Sequence, residues 1–198
     1  DIKYHFGPSA NLAHRIDQET SGLVLISRNR KDEAQIKLLF EHRTIKKSYL
    51  LFVKGEIKED QLIDKPIRKM ERIDDYFFNP ICQSGKSAQT YIKSLRYFPS
   101  LDISLIEAKP ITGRTHQIRI HLYSFGHPIL GETFYGHDEA ARSAYIEERL
   151  SVDERINVTG AKRLMLHANS VEFEYMNNHY HIVSKMDFKE EAFLKLNI

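Results

Sequence analysis

Two short segments gather acids, bases and hydrogen-bonding groups around glycine. Asn11–Gly22 reads NLAHRIDQETSG, and Lys109–Leu122 reads KPITGRTHQIRIHL. Across them the Asp17 carboxylate stands against three guanidiniums, Arg15, Arg114 and Arg119. An opposing arginine keeps a carboxylate ionised and oriented. Such a carboxylate can serve as a nucleophile. A plainer arrangement is equally open to these residues: Asp17 caps a turn through Thr20 or Ser21, and Arg119 makes a surface ion pair. His14, His116 and His121 raise the question of a metal site, and with it a metal-dependent hydrolase. Spacing argues against one, because His116 and His121 sit more than about 100° apart on a helix and on opposite faces of a strand. No GxGxxG or GxxxxGK[ST] pattern occurs, so no nucleotide cofactor is indicated. A Gly-x-Ser-x-Gly elbow is missing too.

The elements that must carry these groups follow from periodicity and turn chemistry. Gly22–Arg28 (GLVLISR) reads as a buried strand after a Thr-Ser-Gly turn. Asp32–His42 places Ala34, Leu38 and Leu39 at helical spacing. Lys47–Gly55 reads as a strand ended by glycine. Glu56–Lys86 reads as a polar loop, with Lys65-Pro66 and Asn79-Pro80 holding the backbone out of a helix. Ser87–Tyr97 and Leu101–Lys109 read as a hairpin around Phe98-Pro99-Ser100. Thr115–Phe125 reads as a helix, with Thr115 as N-cap and Gly126 just past its end. Asp138–Leu150 reads as a charged, solvated helical insert ending near an Asn157–Gly160 turn. Val171–Tyr175 and His179–Ser184 form a second hairpin about Asn177-Asn178. Glu190–Leu196 reads as a short terminal helix, and residues 1–21 show little regular pattern. Strands and helices without regular βαβ alternation indicate an α+β protein.

Composition sets the outer bounds. The 198 residues suit one domain, and 41% hydrophobic residues suffice for a sizeable core. No stretch approaches the roughly 18 apolar residues of a membrane span. The single cysteine, Cys82, cannot form an internal disulfide, which fits a cytoplasmic protein, and it reads as a small buried hydrophobe. A net charge of +2 neither demands nor excludes a nucleic-acid partner.

Five ordered blocks now bear on the choice left open above. His14-Arg15-Ile16-Asp17-Gln18-Glu19-Thr20-Ser21-Gly22 resembles the HRLD-x-x-TSG signature of the RluA-type pseudouridine synthases, with Ile16 for Leu. Lys47-Ser48-Tyr49 resembles their K-x-Y. Gly113–Leu122 (GRTHQIRIHL) resembles their G-R-T-H-Q-I-R-x-H-L. Gly126–Gly131 with Tyr135-Gly136 resembles G-H-P-I-x-G-D-x-x-Y-G, with Glu132 where Asp is usual. Arg163–Ala168 resembles the late R-x-x-L-H-A block. The match runs from residue 11 to about 184.

That resemblance implies a pseudouridine synthase fold: a mixed, mostly antiparallel sheet with flanking helices and a central RNA-binding cleft. It implies isomerisation of uridine in large-subunit rRNA or tRNA, with the base detached from C1′, turned and rejoined through C5. It implies no cofactor and no metal, RNA as partner, no membrane, and a monomer. The family's catalytic aspartate falls on Asp17, which attacks C1′ or abstracts a sugar proton. Its active-site tyrosine falls on Tyr49, against the target base. Its basic partner of the aspartate falls on Arg119, placed on a helix from which it can point back at Asp17. Arg15 is implied either to fill the gap left by a flipped uridine or to clamp a phosphate. His14, Arg114, His116 and His121 are expected as support and RNA contacts, and Leu166 as an apolar wall near the base. An RNA-binding module of the same fold without catalysis is the alternative. Family members carry strands and an Asn-Lys-Pro segment before the HRLD loop, often after an S4 domain. Residues 1–198 are therefore expected to be a catalytic domain lacking those strands and any S4 domain.

Overall fold

The chain runs through α1 (Ile2–Phe6), β1 (Asn11–Leu12), β2 (Ser21–Gly22), β3 (Ile26–Ser27), α2 (Arg30–Glu41), β4 (Lys46–Lys54), β5 (Gln61–Asp64), β6 (Gln89–Phe98), β7 (Ile103–Pro110), α3 (Gln117–Ser124), α4 (Val152–Thr159), β8 (Leu166–Tyr175) and β9 (Asn178–Val183). The computed structural model describes residues 2–68, 80–137, 140, 143–144 and 150–188. Seven strands form one mixed sheet in the order β2-β8-β4-β7-β6-β5, with β9 extending the β2 side of β8. Among the described residues only β2 and β8 pair in parallel. The α+β expectation holds, as does the mostly antiparallel sheet.

Strand β4 lies mid-sheet, flanked by β7 and β8. Its Leu51, Phe52 and Val53 are fully buried in succession, so this stretch is covered on both faces. Burying each such side chain contributes about 1.5–3 kcal/mol. Ile118 and Leu122 of α3, Ile106 of β7 and Met165 pack into the same core. A second cluster joins Ile36, Leu39 and Phe40 of α2 to Ala13, Ile45, Val171 and Phe173. Helix α2 starts where the Asn29 side chain accepts the Asp32 N–H at 2.9 Å. Acidic Asp32 and Glu33 in its first turn complement the dipole.

Several expectations need correction. The single strand read over Gly22–Arg28 is two short pieces, β2 on β8 and β3 on β1. The cause is Gly22, whose φ of +102° turns the chain and whose missing Cβ would lie 2.2 Å from the Ala168 carbonyl oxygen. Leu23 and Leu25 carry the apolar signal because they pack on the second cluster, not because they lie in a strand. The loop read over Glu56–Lys86 contains β5, an edge strand with one buried residue, Ile63. Helix α3 begins one residue later than expected, behind His116 in a left-handed conformation. The Asn157–Gly160 region ends α4 rather than forming a free turn: Ser151 and Glu154 make a capping box, and Gly160 closes it at φ +82°. The hairpin of β8 and β9 turns on Met176 and Asn177, one residue earlier than read, both with positive φ. Short elements α1 and β1 occupy the segment read as patternless. Cys82 is half-exposed, its Sγ 3.6 Å from the Ser84 Oγ, rather than buried. Most of the insert read over Asp138–Leu150, and all of the helix read over Glu190–Leu196, lie outside the described residues. Among the described residues no helix is long and apolar enough to cross a membrane.

Candidate active site

Asp17 sits in a loop pinned at both ends. Upstream, the Ala13 N–H donates to the Leu25 carbonyl at 3.0 Å, and the Leu25 N–H donates to His14 Nε2 at 2.9 Å. The His14 ring lies 4.6 Å from that of Phe40, and burial lowers its pKa. His14 is thus a neutral structural group. Downstream, Ser21 Oγ is 2.9 Å from His167 Nδ1, and the Leu23 N–H donates to the Ala168 carbonyl at 3.0 Å. Between these anchors the Thr20 N–H closes a turn on the Asp17 carbonyl at 3.1 Å.

The Asp17 side chain does not cap that turn. Among the described residues the buried Thr20 Oγ1 has no hydrogen-bond partner, and Ser21 Oγ is engaged with His167. Among the described residues the Asp17 carboxylate accepts no hydrogen bond; only burial and through-space charge act on it. Burial raises its pKa above the ordinary carboxylate value. Arg119 and then Arg15 oppose that rise, and Glu132 adds to it.

Asp17 lines a cleft of about 380 Å³ together with Arg15, Lys47, Tyr49, Arg114 and Leu166. That size falls in the range of sites for small organic groups. Tyr49 comes from β4, opposite Ala108 and Ala168 on its neighbours. Burial, with the Asp17 charge behind it, pushes the Tyr49 phenol up to about 12, so it stays protonated at neutral pH. Leu166 is 2% exposed and supplies an apolar wall. Arg114 donates Nε–H to the Ser87 carbonyl at 3.0 Å. Arg15 is exposed at the rim. Lys47 also lines the cleft, its charge disfavoured by burial and its Nζ 5.9 Å from the Phe40 ring.

Arg119 does not line the cleft. Its side chain is 3% exposed, and its ion pair is with Glu132 rather than with Asp17. Nε donates to Glu132 Oε2 at 2.7 Å and the second amino group to Oε1 at 2.5 Å. The same Oε1 accepts the Thr133 and Phe134 N–H groups at 3.0 and 2.8 Å. Burial opposes the Arg119 charge, but the Glu132 carboxylate raises its pKa well above the ordinary value. The guanidinium therefore reaches Asp17 as a fixed positive field. His116 Nε2 lies 3.3 Å from Arg119 Nη1, and its Nδ1 lies 2.9 Å from the Tyr135 hydroxyl. Burial, followed by the Arg119 and Arg15 charges, pulls His116 down to about 3. Because a guanidinium only donates, Nε2 accepts and Nδ1 carries the proton.

Other polar groups of α3 are scaffolding. Six consecutive residues, Gln117–Leu122, are buried, so each polar side chain among them needs an internal partner. Gln117 Oε1 accepts from the Thr112 hydroxyl at 2.6 Å and the Arg114 N–H at 3.0 Å, fixing the turn before the helix. His121 Nε2 donates to the Lys65 carbonyl at 3.0 Å, and its Nδ1 lies 2.9 Å from Thr90 Oγ1. His14, His116 and His121 therefore serve three separate networks.

Of the residues expected at the site, Asp17, Tyr49, His14, Arg15, Arg114 and Leu166 line one cleft, while Arg119 and His116 lie outside its lining. Sequence reasoning missed Glu132 as the partner of Arg119, and it missed the Glu19 fork onto Arg155 described below. The available signal for Glu132 was a carboxylate inside an otherwise apolar Gly-His-Pro block downstream of a helix arginine.

Comparison with known proteins adds the lineage. A family model described as RNA pseudouridylate synthase matches residues 2–124. An uncharacterized RNA pseudouridine synthase of Helicobacter pylori J99 is 43% identical over 197 residues, covering 98% of this chain and 64% of the relative. The chain thus spans just under two thirds of that relative's length. The dual-specificity RNA pseudouridine synthase RluA of Yersinia pestis is 37% identical over 142 residues, covering 69% of this chain and 66% of the relative. Among solved structures, human RNA pseudouridylate synthase domain containing 4 aligns with a TM-score of 0.72 at 23% identity, over 99% of this chain and 80% of that one, and so shares the fold. On the family match and these identities, the chain belongs to the RNA pseudouridylate synthase family.

Proposed function

We propose that this chain converts selected uridines of large-subunit rRNA or tRNA to pseudouridine, with Asp17 as nucleophile and without a cofactor. The observation that carries the reading is the Asp17 carboxylate: its backbone is anchored on both sides, its oxygens accept no hydrogen bond from the described residues, and it lines a cleft rimmed by cations. A relative named ribosomal large subunit pseudouridine synthase C supports large-subunit rRNA as a substrate class, and the one named dual-specificity RNA pseudouridine synthase supports a second target. The rim residues Arg15, Lys47 and Arg114 suit a phosphate backbone.

In this reading the target uridine leaves the stack and enters the cleft, and Arg15 occupies the vacated space. The Asp17 carboxylate bonds to C1′ as the C1′–N1 bond breaks, and the bond electrons leave with the base. The base turns against Tyr49 and Leu166. C5 then bonds to C1′, releasing the carboxylate; the C5 proton passes to Asp17 and on to water, and N1, left with the negative charge, takes a proton from water. Atoms and charge balance without an outside reactant. Tyr49, holding its own proton at neutral pH, shields and orients the base. The buried Arg119 keeps Asp17 ionised until it reacts.

The reading is tested with unmodified rRNA and tRNA transcripts carrying [5-³H]uridine. Wild-type chain should release tritium and leave an equal amount of pseudouridine in the nuclease digest. Tritium release without pseudouridine, or neither product from both RNA classes, refutes it.

A further inference from the structure

Arg155 has no part in the chemistry above and does not line the cleft. It lies on α4 with its side chain 12% exposed. Its guanidinium forks onto Glu19, Nη1 to Oε1 at 2.6 Å and Nη2 to Oε2 at 2.5 Å, and Nη2 also reaches the Gly131 carbonyl at 3.3 Å. Glu19 is two residues beyond Asp17. Gly131 immediately precedes Glu132, the carboxylate that holds Arg119. One side chain therefore ties the loop of the nucleophile to the segment that fixes its counter-charge.

Both ends of this tie need holding. Glu19 has a φ of +67°, a conformation that side-chain-bearing residues keep only when their surroundings impose it. Besides Arg155, its carboxylate accepts the Leu164 N–H at 3.3 Å. The Gly131 end is rigid. Its N–H donates to the Thr159 carbonyl at 2.9 Å, and a Cβ there would lie 1.8 Å from the Arg163 carbonyl oxygen.

We propose that Glu19 and Arg155 form a positioning clamp that sets the placement of Asp17 relative to Arg119 without touching RNA or the reacting atoms. Its effect on turnover rests on the proposed function. Two consequences separate a clamp from a general prop. Loss of the fork lowers kcat and leaves RNA affinity alone, because no RNA contact is removed. The two residues also act as one unit, so removing both is no worse than removing either.

The test uses the full chain with Arg155→Met, Glu19→Gln and the double variant. Turnover is followed by tritium release from [5-³H]uridine-labelled rRNA and tRNA transcripts, and loop order by hydrogen exchange of the Thr20 amide, which closes the Asp17 turn. Each single variant is expected to lose about 10²-fold in kcat at unchanged KM, the scale of a small misplacement at a reacting centre. The double should match the worse single, and the Thr20 amide should exchange faster in all three. Glu19→Gln, the milder change, keeps the test open should Arg155→Met fold poorly. Wild-type kcat in the variants, a change confined to KM, multiplicative losses in the double, or unchanged Thr20 exchange would each overturn the clamp. Failure of the wild type on both RNAs would instead sink the proposed function, and the Thr20 exchange would still decide whether the clamp orders the loop.

Discussion

Glu132→Gln removes one charge from a pair buried on both sides, with Arg119 3% and Glu132 2% exposed. Solvent cannot screen what remains, so the Arg119 guanidinium is left facing an amide nitrogen or oxygen in a dry site. Breaking a buried pair from one side costs about 3–5 kcal/mol. For a domain of this size each kcal/mol moves the thermal midpoint by about 2–4 °C. The midpoint should therefore fall by roughly 6–20 °C. The same change acts on Asp17 with a definite sign. Glu132 is one of the groups raising the Asp17 pKa, so removing its charge lowers that pKa and moves the acid limb of the pH–rate profile to lower pH. Glu132→Asp keeps the charge and should lose clearly less stability. Differential scanning calorimetry and tritium release measure the two effects. A midpoint drop below about 2 °C, or an acid limb moving to higher pH, would refute the role given to this pair.

Three further outcomes follow from the geometry. Asp17→Asn should raise the thermal midpoint at pH 7. The folded pKa lies above the ordinary 3.8, so the stability contributed by the protonated group is present below pH 3.8 and lost as pH rises through the folded value; the gain from Asn should fade in acid, as calorimetry across pH will show. Arg114→Ala should weaken RNA binding across sequences and reduce the slope of log affinity against log salt by about 0.7, measured by filter binding with single-stranded RNA. Gly22→Ala should destabilise by at least about 1–3 kcal/mol in urea titrations, since φ is +102° and the new Cβ meets the Ala168 carbonyl oxygen.

The chemistry-bearing loops were legible because their residue types are costly to place without a use. A carboxylate and three arginines gathered about glycines in two segments draw attention to Asp17, but a turn cap with a surface ion pair stayed open until the family likeness was added. The long-range hydrogen bonds were not legible. Nothing local says that Arg119 will turn to a carboxylate 13 residues on, or that Glu19 will meet Arg155. The strand expected over Gly22–Arg28 failed because a buried apolar run looks the same whether it pairs in a sheet or packs beneath a helix. Helix α4 was missed, although Ser151 and Glu154 form a capping box, because that signal lies inside a charged stretch read as running into a turn. The start of α3 lay out of reach because His116 adopts φ +51°, a conformation that no side-chain preference announces.

The central claim is that the Asp17 carboxylate performs the chemistry. The direct measurement is pseudouridine formed in a single turnover by Asp17→Asn, with enzyme in excess over labelled transcript and RNA affinity measured alongside. The account predicts wild-type RNA affinity, an intact thermal transition and no pseudouridine above background. Pseudouridine formed at a rate near that of the wild type would contradict it.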